Sequence, residues 1–77
     1  MQIFIKNGMN NRTLPLDVEG NELISSVKDK ISDKEYIQPK HQSLMYAGKF
    51  LQNDGKISDY NIQKESTIHL LIKNTGG

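Results

Sequence analysis

The sequence of 77 residues predicts an α+β domain in which one helix packs across one face of a mixed sheet. Two observations carry this prediction. Apolar residues alternate with other residues near both ends of the chain, the period-two pattern of half-buried strands. Between these ends, one stretch places its apolar residues at helical spacing. The order is therefore hairpin, helix, then strands.

The chain begins with a predicted β-hairpin. Met1, Ile3 and Ile5 alternate along the first strand, and the stretch NGMNN, residues 7–11, is rich in residues that favour turns. The returning strand places three apolar residues on one face: Leu14, Leu16 and Val18. Pro15 lies among them and has no N–H to donate, so we expect this strand at the edge of the sheet.

A helix is predicted from Glu22 to Lys34. Ile24, Val27 and Ile31 form an apolar stripe with Leu23 beside them, and charged residues occupy the opposite side. Asn21 is the expected N-cap, with Glu22 near the positive end of the helix dipole and Lys34 near the negative end. Pro39 prevents continuation of the helix.

The second half of the chain returns to strands. Leu44 and Tyr46 are predicted on one face and Met45 on the other, before a turn at Ala47-Gly48. A very short strand is expected at 50–51, and a small helical turn between Ile57 and Ile62. The last strand has three residues predicted to point inward: Ile68, Leu70 and Ile72.

A single helix leaves the other face of the sheet uncovered. Met45, His69 and Leu71 are predicted on that open face, with Met9 leaning in from the hairpin turn. Three lysines border them: Lys6, Lys49 and Lys73. An apolar cluster with a polar rim is typical of a docking site. The alternative is that Met45 and Leu71 occupy strand positions only by propensity.

Composition argues against several functions. There is no cysteine, and there are only two histidines, so we expect no disulfide, metal or cofactor. With 25% charged residues and a net charge of +1, no basic block is present for nucleic acid. No apolar run approaches the roughly 20 residues that span a bilayer, and the start lacks signal-peptide features. The sequence predicts a monomer of the cytoplasm and nucleus.

No catalytic constellation is predicted, so we expect no enzyme. A serine with His41 or His69 as base remains the one nucleophile option. Ser58-Asp59 is more typical of a helix start than of a catalytic pair. The NDG and NG stretches are typical of turns, and the sequence contains no phosphate-binding motif.

The last residues of the sequence suggest a different chemistry. We predict a domain over residues 1–73 and a flexible tail over 74–77, where Gly76 and Gly77 have no side chains. A carboxylate on Gly77 could enter a narrow cleft, be adenylated, pass to a thiol and be joined to an amine. Small size, an exposed apolar patch and a thin tail favour a protein tag.

Five stretches of the sequence resemble the ubiquitin family: MQIF with Lys6, VK.KI.DKE at 27–35, AGK at 47–49, SDYNIQKEST at 58–67, and the pair Gly76-Gly77. The resemblance covers the whole chain and implies the β-grasp fold. It implies a modifier that is activated at its terminal glycine and attached to substrate proteins by activating, conjugating and ligating enzymes, and removed by deconjugating ones. It also implies a surface for ubiquitin receptors at Met45, Gly48, His69 and Leu71. Lysines at chain-forming positions would be Lys49 and Lys64, the most used, and Lys6, Lys28, Lys30 and Lys34.

Several positions depart from the family pattern. The hairpin turn is one residue longer, so Met9 only approximately replaces a leucine of the patch, and Arg12 stands in place of an acceptor lysine. Ser43 and Lys73 each replace an arginine of the family pattern. The arginine replaced by Lys73 is the one that activating enzymes of this family use for discrimination. Further replacements are Asn74 and Thr75 for a leucine and an arginine, Tyr36 for a glycine, and Gln38 for a proline.

Three functions therefore stay open. The chain is a conjugated modifier, or a non-covalent ubiquitin mimic with an altered tail, or a ubiquitin-like domain of a larger protein. Retention of Gly76-Gly77 favours the first.

Overall fold

The structure of the protein is a computed structural model that describes residues 1–73. Within this described range, five strands form one mixed sheet: β1 (Gln2–Asn7), β2 (Thr13–Asp17), β3 (Gln42–Tyr46), β4 (Lys49–Phe50) and β5 (Thr67–Ile72). One α-helix, α1 (Ile24–Glu35), packs on the sheet, and two short 3₁₀ turns span Pro39–His41 and Ile57–Tyr60. The α+β prediction is confirmed.

The strands lie in the order β2-β1-β5-β3-β4. The central pair, β1 and β5, is parallel, and the other neighbours are antiparallel. β2 is thus an edge strand, as Pro15 predicted. Lys30 Nζ of α1 donates to the backbone oxygen of Asp17 at 2.8 Å, which occupies a carbonyl at the end of β2.

The core lies between α1 and the sheet. Ile24, Val27 and Ile31 are fully buried against strand residues, as the helical stripe predicted. The strand residues at the centre of this cluster are Ile3, Ile5, Leu16, Leu44, Ile68 and Leu70. Ile72 was predicted to point inward, but 40% of it is exposed, because it ends β5 and lies outside the buried cluster. This prediction is wrong at one residue.

The predicted start of the helix is wrong. The helix begins at Ile24 and not at Glu22, and Leu23 occupies the N-cap position in place of Asn21, with no side-chain cap. Backbone oxygens of a distant loop accept the first amides instead. Ile24 N donates to Gly55 O at 2.9 Å and Ser25 N to Asn53 O at 3.1 Å. A cap supplied by tertiary contact satisfies these amides without a capping side chain.

The end of the helix agrees with the prediction to within one residue. Tyr36 follows the helix in the left-handed region, with φ of 59°, and its amide donates to Ser32 O at 2.9 Å. A bulky residue is strained there, since this conformation favours glycine.

Two short elements also differ in detail. The predicted strand at 50–51 spans Lys49–Phe50, and Leu51 is instead buried in the core. The helical turn Ile57–Tyr60 begins after Lys56, whose amide donates to the Asp59 carboxylate at 2.8 Å, so Asp59 closes the turn as a capping residue and Ser58 does not.

Candidate docking surface

The open face of the sheet brings three predicted site residues together. Met45 of β3 is directly opposite His69 of β5, and two residues along, Ser43 is opposite Leu71. Side chains of directly opposite residues point to the same face and contact each other. Met45 is half-buried, whereas His69 and Leu71 are exposed. We call the docking face the set Met9, Met45, Gly48, His69, Leu71 and Lys73.

The hairpin turn that carries Met9 lies against β5. Gly8 N donates to Leu70 O at 3.0 Å, and a Cβ on Gly8 would lie 3.4 Å from Leu71 Cδ2. Met9 is exposed, and its amide donates to Asn7 Oδ1 at 2.8 Å. The longer turn therefore lies beside the Leu71 end of the docking face through Gly8, and Met9 is the next residue of that turn.

The same turn is anchored to the end of the helix. Asn7 Nδ2 donates to Glu35 Oε1 at 3.2 Å, and Arg12 forms a longer ion pair of 4.0 Å with the other Glu35 oxygen. The Glu35 side chain is largely buried. Sequence reasoning missed Asn7 and Glu35 as positioning residues, because 28 positions separate them in the chain.

Gly48 contributes to the docking face through its backbone conformation in the turn between β3 and β4. Its φ is +78°, and a Cβ placed on it would meet nothing within 4 Å. A glycine is favoured here because of the positive φ that the tight turn between β3 and β4 requires. The turn places Phe50 directly opposite Met45, with its ring exposed. Phe50 is an aromatic neighbour of the docking face that the sequence did not single out.

Basic side chains lie within and beside the docking face. Lys6 pairs with His69 across the β1–β5 ladder, and Lys49 and Lys73 are also exposed. Lys73 N donates to His41 O at 2.6 Å, which holds the backbone beyond β5 against the start of β3. The arrangement favours a partner with an apolar centre and acidic surroundings.

The candidate acceptor lysines differ in accessibility. Four of them are exposed: Lys6, Lys34, Lys49 and Lys64. Lys30 is half-buried and forms an ion pair with Glu22 at 2.8 Å. Burial raises the pKa of Glu22, but hydrogen bonds from Lys30, Ser26 and the Glu19 amide outweigh it and leave that pKa lowered.

Lys28 is the buried member of the set. Only 9% of it is exposed, and Nζ donates to Asn53 Oδ1 at 2.7 Å. Burial lowers the pKa of Lys28, and the nearby charge of Lys73 lowers it further. Gln42 lies beside Lys28, and its amide Nε2 donates to the backbone oxygens of Lys28 and Ile37, each at 2.9 Å.

The groups considered for catalysis lie on three different elements. His41 ends the first 3₁₀ turn, His69 lies in β5, and Ser58 is exposed in the second 3₁₀ turn. Within residues 1–73, no group of three or more histidine or carboxylate side chains could hold a metal ion. In the same described range, no helix is long and apolar enough to cross a membrane.

The predicted tail, residues 74–77, lies outside the described residues. Gly76 and Gly77 as conjugation residues, and the division of the chain after residue 73, therefore stay predictions.

Comparison with known proteins agrees with this fold. The family model described as "Ubiquitin family" matches residues 3–75. The chain is 32% identical to "NEDD8-like protein RUB3" of Arabidopsis thaliana over 77 residues, covering all of this chain and 97% of that protein. It is 32% identical to "Ubiquitin-like protein 1" of Schizosaccharomyces pombe over 69 residues, 90% of this chain and 88% of that one.

A third relative is larger. The chain is 36% identical over 73 residues to "Ubiquitin-like protein 4A" of Rattus norvegicus, covering 95% of this chain but only 46% of that protein. The similar proteins thus include both short chains and a domain of a longer one. Residues 1–73 form a β-grasp sheet with one α-helix, and this chain belongs to the ubiquitin family, as a ubiquitin-like modifier or domain.

Proposed function

We propose that this chain is a conjugated protein modifier, activated at the Gly77 carboxylate and read by receptors through the docking face. The observation that carries the proposal is the contiguous surface of Met45, His69 and Leu71 on the face opposite α1. Its partners are ubiquitin-type activating, conjugating, ligating and deconjugating enzymes, ubiquitin receptors and substrate proteins. It acts as a monomer in the cytoplasm and nucleus.

The proposed chemistry requires ATP and two acyl transfers. The Gly77 carboxylate attacks the α-phosphorus of ATP and releases pyrophosphate, which leaves an acyl adenylate. An enzyme cysteine thiolate then displaces AMP and forms a thioester. A lysine amine of the target attacks the thioester carbonyl, the thiolate leaves, and the amine proton goes to solvent. Glycine at both positions suits this sequence, because it leaves the acyl carbon unhindered.

Lysine accessibility supports a restricted set of chain linkages. An acceptor amine must be deprotonated and reach the thioester, so the exposed amines of Lys49, Lys64, Lys6 and Lys34 are the expected acceptors. Lys30 must first leave Glu22, and Lys28 must leave Asn53 and the interior. Linkage through these two is expected only after local opening of the structure.

Tryptic mapping of conjugates tests the function. Because Lys73 precedes Asn74, trypsin would leave the remnant Asn-Thr-Gly-Gly on every modified lysine, which differs from a bare Gly-Gly remnant. Tagged chain is expressed in eukaryotic cells, recovered under denaturing conditions, digested and analysed by mass spectrometry. We expect this remnant on target lysines and none from a chain without Gly77. Recovery of the unmodified chain alone, with receptor binding intact, would contradict conjugation.

A non-covalent ubiquitin mimic is the second candidate. The residues Ser43 and Lys73 favour it, since both stand where the family pattern has arginine and both line one pocket beside the docking face. A lysine cannot reproduce the two-pronged hydrogen bonding of arginine. The mimic would bind receptors normally and give no remnant.

A further inference from the structure

A pocket opens beside the docking face, on the side of β3 and β4. Its volume is about 480 Å³, and its wall includes Lys28 of α1, Ser43 of β3, Phe50 of β4 and Lys73. Ser43 and Phe50 are directly opposite Leu71 and Met45 in the sheet, respectively. The pocket therefore adjoins the docking face through these two neighbours and through Lys73, which belongs to both.

The pocket contains a buried cation without a carboxylate partner. Lys28 Nζ donates to the neutral amide oxygen of Asn53 at 2.7 Å. Of the carboxylates in residues 1–73, none lies within 4.0 Å of this amine. An ammonium has three N–H donors, and a buried charge is costly unless it is paired.

The charge around the pocket is positive. Lys73 is close enough to Lys28 that its charge contributes to lowering the Lys28 pKa, after burial itself. Asp54 also lines the pocket but is exposed to solvent. Two cations and one solvated carboxylate leave a net charge that attracts an anion.

We propose that this pocket binds the carboxylate of an aspartate or glutamate side chain of a partner protein, held between Lys28 and Lys73 while the partner covers the docking face. The proposal rests on the proposed function in one respect, that the docking face is read by a partner. A protein side chain is favoured over a free anion because Ser43, Phe50 and Lys73 join the pocket to that face.

Binding of a carboxylate would complete the environment of Lys28. It would offer the charge that Asn53 lacks and would relieve the repulsion between the two lysines. A partner with a neutral amide at the same position would gain neither effect.

The test uses the full chain with its lysine side chains labelled with ¹³C. The probe is the acetylated, amidated tripeptide Leu-Ala-Glu, and its matched control is Leu-Ala-Gln. We expect the acidic peptide to shift the Lys28 and Lys73 side-chain resonances saturably and to bind about tenfold more tightly than the amide peptide, the loss typical of one charged contact. Equal affinity of the two peptides would overturn the proposal.

Asn53→Asp provides a variant that should fold. It places a carboxylate beside Lys28 Nζ with almost no change of shape, so we expect the affinity for the acidic peptide to fall about tenfold. Asn10→Asp is the matched control, since it adds the same charge in the exposed hairpin turn and keeps the oxygen that accepts the Arg12 amide. An equal effect of both variants would show only a general charge effect and would overturn the proposal that this pocket binds the carboxylate.

Sodium acetate distinguishes the two sources of a carboxylate. If acetate shifts the lysines at the same concentration as the acidic peptide, the pocket is a free-anion site and the partner proposal is wrong. Resonances of Met45 and Leu71 are followed in the same titrations. Shifts there without shifts at Lys28 would contradict the pocket and leave the docking face standing, whereas no shift at either place would count against both.

Discussion

Met45 and His69 are cross-strand partners at the centre of the sheet's open face. On its other side, His69 pairs with Lys6 of β1, so an imidazole lies between a thioether and an ammonium on three adjacent strands. The arrangement follows from topology: β5 is the central strand, with β1 and β3 as its neighbours. Residues that are far apart in the chain thereby form one continuous surface.

Leu71→Ala tests whether this surface binds receptors. We expect the variant to weaken binding to a ubiquitin receptor by about tenfold, or about 1.4 kcal/mol, because an apolar anchor is lost. The free energy of unfolding should change little, since the side chain is already 41% exposed.

Leu23→Ala is the matched control. Leu23 is 43% exposed but lies at the N-cap of α1, away from the open face of the sheet. Isothermal titration calorimetry on both variants checks the prediction. Equal loss of affinity in the two would show that the docking face is misplaced.

Lys28 should make the stability of the fold depend on pH. Its pKa is lowered in the folded state, first by burial and then by Lys73. The unfolded chain therefore binds more protons in the window between the lowered pKa and the ordinary value of 10.5, and stability contributed through this group rises with pH across that window. Urea unfolding is measured from neutral pH to pH 10.5 for the unaltered protein and for Lys28→Met. The free energy of unfolding should rise with pH in the unaltered protein and not in the variant. Parallel curves would contradict it.

Asn53→Asp should remove the same pH dependence by pairing the amine with a carboxylate. We expect a gain of about 1 kcal/mol in the free energy of unfolding at neutral pH, since hydrogen bonds to charged groups are stronger than neutral ones. Unchanged stability would contradict this prediction and would indicate that water already solvates the Lys28 ammonium.

Tyr36→Gly should stabilise the protein. Tyr36 has φ of 59° and is 90% exposed, so its ring contributes little packing while its Cβ strains the backbone. Relief of that strain should exceed the entropy cost of glycine by about 0.5–1 kcal/mol. Asn61→Gly is the matched control at φ of 56°, where asparagine already tolerates this conformation and the gain should be smaller. Thermal melting measures both, and a lower Tm for Tyr36→Gly would refute the prediction.

Local patterns predicted most of the fold. The period-two strands, the stripe of Ile24, Val27 and Ile31, and the edge position of Pro15 depend on neighbouring residues, so they could be read from the sequence. The start of α1 could not, because its cap is the backbone of residues 53–55, far along the chain.

The candidate site was predictable in part for the same reason. Alternation along β3 and β5 identified Met45, His69 and Leu71. Phe50 was missed because a strand of two residues has no period to detect. The burial of Lys28 was missed because charged residues on a helix are normally solvated, whereas Gln42 and Asn53, both distant in the chain, pack against this one.

Restoring the family residues of the activation region should improve charging by an activating enzyme. The variant combines Ser43→Arg and Lys73→Arg with Asn74→Leu and Thr75→Arg. We expect faster thioester formation, by about tenfold or more, since each arginine can make paired contacts that serine or lysine cannot. Quenched time courses measure the rate, and Lys40→Arg, also exposed and of the same chemistry as Lys73→Arg, is the control. An unchanged rate of thioester formation would indicate that residues other than these four limit recognition by the activating enzyme.

The most direct measurement is a thioester assay on the unaltered chain. The chain is incubated with a ubiquitin-activating enzyme, ATP and magnesium, and separated with and without a thiol reductant. We predict an adduct heavier than the enzyme by one chain of 8.8 kDa, cleaved by the reductant and absent when Gly77 is deleted. No adduct, from a preparation that binds a ubiquitin receptor normally, would contradict the modifier function and favour the non-covalent mimic.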